Sequence, residues 1–128
     1  MTRTCGQSMA LLILTLCFII IFALKVKGDD SLITVHVSDD MHSNLEVVRV
    51  NCTGSELKLY PGQEFHFADV RKFRFVCNAM WRDKDGVWMA FEPIRDAAYA
   101  HVYSSIREDG FYFSHDQSNW KRLNEWHA

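Results

Sequence analysis

The chain has 128 residues, 48% of them hydrophobic, with 14 basic side chains against 16 acidic ones and a net charge of −2. That length suits one domain of ordinary size. The basic residues are scattered, densest at Arg71-Lys72-Phe73-Arg74, which argues against sequence-independent nucleic-acid binding through clustered Lys and Arg.

The N-terminus carries one basic residue, Arg3, and then an apolar run from Ala10 to Leu24. Its 15 residues suit the hydrophobic region of a signal peptide better than a membrane span of about 20. The polar stretch Lys25-Val26-Lys27-Gly28 follows, with Val26 and Gly28 at the small-residue positions before a cut at Asp29. Residues 1–28 are therefore expected to be a signal peptide. Residues 29–128 are expected to be a secreted, extracellular domain without stable membrane insertion after cleavage. An uncleaved signal anchor is the alternative, because Lys25 and Lys27 follow the apolar run. Cleavage removes Arg3, Lys25 and Lys27, leaving 11 basic residues against 16 acidic ones, a net of −5.

Cys5 and Cys17 leave with the leader, so Cys52 and Cys77 remain. In an oxidising compartment a disulfide is expected, two free thiols being the alternative.

Alternating segments separated by turn signals run through the domain: Ile33 to Val37, Glu46 to Cys52, Leu57 to Leu59, Phe65 to Phe67, Phe73 to Cys77, Val87 to Phe91, Tyr99 to Ile106 and Phe111 to Phe113. Pro61-Gly62 reads as a tight turn, and Asp85-Gly86 and Asp109-Gly110 as hairpin bends. Nothing of helical length holds a period of 3.6. The expected fold class is all-β, a small antiparallel β-sandwich of about eight strands with one disulfide.

Side-chain parity along these strands places Cys52 with Val48 and Val50, and Cys77 with Phe73 and Phe75, so both sulfurs should point inward. The same parity puts Arg49 and Asn51 outside, and Asn51-Cys52-Thr53 is an N-glycosylation sequon. Phe65, Phe67, Phe73, Phe75 and Trp81 are expected in the core. Trp88 is out of phase with Val87 and Met89, which leaves two readings, an exposed ring beside the charged turn Arg82-Asp83-Lys84-Asp85 that could anchor a partner, or a ring packed under a neighbouring loop. Those five residues, Arg82, Asp83, Lys84, Asp85 and Trp88, are the candidate receptor contacts.

The domain holds six histidines, none at the spacing of a zinc-ligand cluster, and solvated surface histidines are expected. Glu64 and His66 share an outer face. His36, His101 and His115 could meet in space as in a secreted hydrolase, but no nucleophile motif accompanies them.

The run Val47 to Cys52, Leu59 to Phe67 with its Pro-Gly turn, Phe73 to Trp81 with Cys77-x-x-x-Trp81, then Phe91, Arg107 to Tyr112 and the closing Trp126 together resemble the plant self-incompatibility S1 family, the S-protein homologues. Members with four cysteines carry a second pair near positions occupied here by Tyr112 and Leu123. An apolar contact in place of that bridge and a less constrained C-terminal loop are expected. The resemblance implies a small secreted β-sandwich protein of flowering plants, with no catalytic residue, metal or cofactor to carry over. It points to a monomeric signalling ligand or interaction protein acting on a cell-surface receptor protein. A secreted enzyme or a small-molecule-binding defence protein using the His and Trp residues is the alternative.

Overall fold

A computed structural model describes residues 31–42 and 46–128; the expected signal peptide lies outside the described residues. Nine strands follow in chain order: β1 Leu32–Asp39, β2 Val48–Asn51, β3 Glu56–Leu59, β4 Glu64–Val70, β5 Phe75–Trp81, β6 Lys84–Phe91, β7 His101–Arg107, β8 Gly110–Ser114 and β9 Lys121–Asn124. They form a five-stranded sheet in the order β4-β1-β7-β8-β9 and a four-stranded sheet in the order β3-β2-β5-β6. Among the described residues there is no helix, as the alternating pattern predicted.

β1 shows how the pattern makes the core. Ile33, Val35, Val37 and Asp39 are buried, while Thr34, His36 and Ser38 alternate with them on the other face. Val48, Val50, Cys77, Ala79, Trp88 and Ala90 supply the facing layer from the other sheet, and Val102, Ile106 and Phe111, from β7 and β8 beside β1, complete the core. Phe65, Phe67 and Phe75 are half-buried against this core and Trp81 is buried, as expected. The bridge between Cys52 and Cys77 is formed, with the Cα atoms 4.2 Å apart.

Several expectations are corrected. The sheets are not wholly antiparallel, because β1 pairs with β7 in parallel through partners such as His36 and Tyr103. Alternation specifies a face, not a direction, so this pairing left no mark in the pattern. β9 was not foreseen, since Lys121-Arg122-Leu123-Asn124 alternates no apolar residues. Phe73 is 69% exposed because it precedes β5, outside the strand whose parity was used to bury it. The β5–β6 bend is Arg82-Asp83, not Asp85-Gly86, with Arg82 at a positive φ of 57°.

Trp88 is 3% exposed, not an exposed anchor. The inner phase of β6 is Gly86, Trp88 and Ala90, two small residues flanking one large ring, while Val87 faces out. Trp88 stacks on Phe111 with ring centroids 4.5 Å apart and donates from Nε1 to Ser104 Oγ at 3.0 Å. Gly86 is required here, because a Cβ would overlap the Phe111 ring.

The C-terminus is tied down rather than loose. Asp85 and His127 exchange backbone hydrogen bonds of 2.9 and 2.7 Å, and Asn124 Nδ2 donates to Val87 O at 2.7 Å. Trp126 donates from Nε1 to Arg107 O at 2.7 Å and packs on Phe111 and Trp81. Leu123 packs on the core, whereas the Tyr112 ring lies beneath the Arg107 guanidinium and its hydroxyl donates to Asp109 at 2.7 Å. Ordinary packing and hydrogen bonds thus hold the tail without a second bridge.

Candidate recognition surface

The outer face of the four-stranded sheet is laid out by its register. Asn51, Asn78 and Val87 form one row across β2, β5 and β6, and Arg49, Met80 and Asp85 form the next. Val76 pairs with Met89 further along β5. On this face Val76 is 50% exposed, Met80 44% and Val87 48%, an apolar strip of half-exposed aliphatic side chains. The three surround the exposed Asn78; scattered surface apolar residues are ordinary, but several gathered on one sheet face are a feature of interaction sites.

The strip ends at the charged turn. Arg82 Nε lies 2.8 Å from a carboxylate oxygen of Glu46, and its guanidinium stands 5.2 Å from the Trp81 ring centroid. The Lys84 ammonium lies 5.4 Å from the same ring. Trp81 is itself fixed against Trp126, so two cations are held on a rigid aromatic base. Asp83 and Asp85 are exposed beside them. Four of the five expected contact residues thus lie at one end of the β5–β6 hairpin, Arg82 and Asp83 in the bend, Asp85 on the outer face beside Met80 and Lys84 on the opposite side with Trp81, and the fifth, Trp88, is in the core. Asn51 is half-buried on the outer face, its Oδ1 accepting from Gly54 N at 2.9 Å.

The histidines are less dispersed than expected. The β1–β4 register sets His36 opposite His66, and the β1–β7 register sets it beside Tyr103. On the outer face of the five-stranded sheet, His36 Nδ1 lies 2.8 Å from Glu64 Oε1 and His36 Nε2 lies 3.0 Å from His101 Nδ1. The His36 ring stacks on Tyr103 at 4.4 Å. His115 is not part of this group; its Nε2 lies 2.6 Å from Asp96, and its ring stacks on Tyr99. The shared face of Glu64 and His66 and a meeting of His36 with His101 were among the sequence expectations; that the two pairs join was not, because the members come from three strands.

Asp96 is a second feature that sequence reading missed. It is fully buried and accepts hydrogen bonds from Arg95 Nε and Nη2 at 2.9 and 2.8 Å and from Glu92 N at 2.8 Å. Burial alone would raise its pKa, but the donors from Arg95, the Glu92 amide and His115 outweigh it and hold the carboxyl below its ordinary range. The node orders the connection between β6 and β7 rather than presenting a reactive group.

Against known proteins, a family model described as plant self-incompatibility protein S1 matches residues 34–126. No curated protein and no solved structure gives a significant match.

Proposed function

The chain belongs to the plant self-incompatibility protein S1 family, and from that membership we propose that it is an exported ligand that acts on a cell-surface receptor protein through the outer face of its four-stranded sheet. The family is one of non-enzymatic self-incompatibility proteins, and its members are typically secreted. The observation that carries the proposal is that Val76, Met80 and Val87 are half-exposed apolar side chains on one sheet face and that Met80 lies in register with Asp85, next to the charged bend at Arg82 and Asp83. An apolar centre edged by charge is what a specific, reversible protein contact uses. The apolar run from Ala10 to Leu24 supports export, with processing before Asp29.

The test has two parts. N-terminal sequencing of protein recovered from the medium of expressing plant cells should begin within a few residues of Asp29; recovery only from membranes with Met1 or Thr2 retained counts against export. Labelled protein should then bind target cells saturably, and Val87→Ser with Arg82→Ser should abolish that binding while leaving the melting temperature nearly unchanged, since exposed substitutions shift stability by about 0.5 kcal/mol. Turnover of a substrate, lost by about a hundredfold in a stable His36→Ala, His66→Ala, His101→Ala or His115→Ala variant, would replace the ligand reading with an enzymatic one.

A further inference from the structure

We propose that His36, Glu64 and His66 form a surface site for a divalent first-row transition-metal ion, with zinc the best match. The site follows from strand register. His36 of β1 and His66 of β4 are direct cross-strand partners, and Glu64 lies two residues before His66 on the same outer face. Directly opposed residues have Cβ atoms about 5 Å apart, which lets two imidazoles and a neighbouring carboxylate converge on one point. One donor atom from each of the three side chains lies within 4.8 Å of the other two. With bonds of about 2.0 to 2.1 Å, donors around a tetrahedral ion sit about 3.3 Å apart, so small rotations of exposed side chains bring them into place.

The surroundings favour this reading. His36 Nδ1 already faces the Glu64 carboxylate, so the ion would take the place of the proton shared between them. The opposite nitrogen, Nε2, faces His101 Nδ1 at 3.0 Å. With the ion on Nδ1, His36 carries its proton on Nε2 and donates it to His101 Nδ1. His101 then holds its own proton on Nε2, so the two rings only exchange tautomers. A ligating histidine whose second nitrogen is anchored by a hydrogen bond is the usual arrangement at metal sites. Stacking on Tyr103 fixes the plane of the His36 ring.

Two imidazoles and one carboxylate are donors of intermediate hardness, which suits zinc, nickel, copper or cobalt and disfavours calcium and magnesium, which take oxygen ligands. Three protein ligands leave a coordination position open. His36 and Glu64 also line a hollow of about 250 Å3 together with Tyr103, Gln117 and Trp120, which gives that position room for water or a donor from another molecule. This inference stands apart from the receptor-binding face, which lies on the other sheet.

Protein recovered from plant cells expressing the full chain, stripped with chelator, is titrated with Co2+ followed by absorption and with Zn2+ by calorimetry. The expected result is one equivalent of Co2+ with visible bands of low coordination number, displaced by Zn2+. His36→Ala, Glu64→Ala and His66→Ala should each weaken binding by about tenfold or more, and His101→Ala by about tenfold through lost orientation. His127→Ala, outside the group, should bind as the parent does. These side chains are at least partly exposed, so the variants should keep the parent's thermal melt without metal. Absence of saturable binding, or binding that survives His66→Ala unchanged, overturns the proposal.

Discussion

The buried carboxylate of Asp96 lies 2.6 Å from Nε2 of His115 and so joins the β6–β7 connection to the segment after β8. Arg95, 2.8 Å from the same carboxylate, also places its guanidinium 4.1 Å from the Phe113 ring centroid, so one acidic group organises two segments and an aromatic contact. Replacing Asp96 by Asn leaves Arg95 and His115 without their charged partner and should cost about 2 to 3 kcal/mol at pH 7. Its pKa is depressed from the ordinary 3.8, so its stabilisation is present above that value and lost as pH falls toward its folded value. Thermal melts of parent and Asp96→Asn should therefore converge in strong acid. A gap as wide there as at pH 7 would show that the lost stability is not electrostatic.

Asp39 should behave with the opposite sign. It is fully buried; burial raises its carboxyl above the ordinary 3.8, the Met41 amide bond at 3.0 Å offsetting part of this. Oδ2 has no partner among the described residues. A raised acid favours the fold below its unfolded pKa and loses that contribution as pH rises through the folded one. Asp39→Asn keeps an oxygen for Met41 N and removes the buried charge, so it should be neutral or stabilising at pH 7 and no better than the parent near pH 3.5. A large loss of stability at pH 7 would mean that the charge itself is needed.

Gly86 carries the tightest backbone-to-ring approach described above. Phe111 cannot move aside easily, being held between Trp88 at 4.5 Å and Trp126 at 4.6 Å. Gly86→Ala should cost about 1 to 3 kcal/mol by overpacking, whereas Val87→Ala next to it, on the outer face, should stay within about 0.5 kcal/mol. Chemical denaturation of the two variants decides it, and equal effects would contradict the assigned phase of β6.

That phase shows what the sequence could and could not reveal. Alternation marked β6 as a strand but left its phase open, because aliphatic Val87 and Met89 outrank Gly86 and Ala90 as core candidates while the large Trp88 ring favours the other face. Only the partner Phe111, brought in from β8, makes the small residues the inner ones. The Cys52–Cys77 bridge was legible because pairing needed only export and parity. The His36, Glu64 and His66 group was not, because it depends on the β1–β4 register, and the parallel β1–β7 pair was hidden because strand direction leaves no periodic trace. Arg82-Asp83 was recognised as part of a charged turn, but the left-handed φ that makes Arg82 the bend has no side-chain signature.

The bridge gives a prediction of its own. It joins residues separated by 25 positions and links the end of β2 to the buried face of β5. Cys52→Ala with Cys77→Ala should cost about 2 to 5 kcal/mol, a large share of the stability of a domain this small. The double variant should accumulate poorly in the medium and melt well below the parent. Export and melting equal to the parent's would show that packing alone suffices.

The last prediction joins the sequon to the recognition face. Asn51, Asn78 and Val87 share one row across the four-stranded sheet, so a glycan on Asn51 would stand beside the apolar strip proposed to meet the receptor. Asn51 also uses its Oδ1 to accept from Gly54 N at 2.9 Å, where Gly54 adopts a left-handed φ of 90°, and the bridged Cys52 follows it directly. A side chain engaged in a tight turn next to a disulfide is a slow acceptor, so partial occupancy is expected. Deglycosylation of plant-expressed protein should shift part of the population in mass. The unglycosylated fraction should then bind target cells more tightly than the glycosylated one. Asn51→Gln retains the amide at the turn and removes the sequon, so it should reproduce the unglycosylated binding without a change in melting temperature. Equal binding by both fractions would place the receptor contact away from Val87, and no mass shift would show that the site is unused.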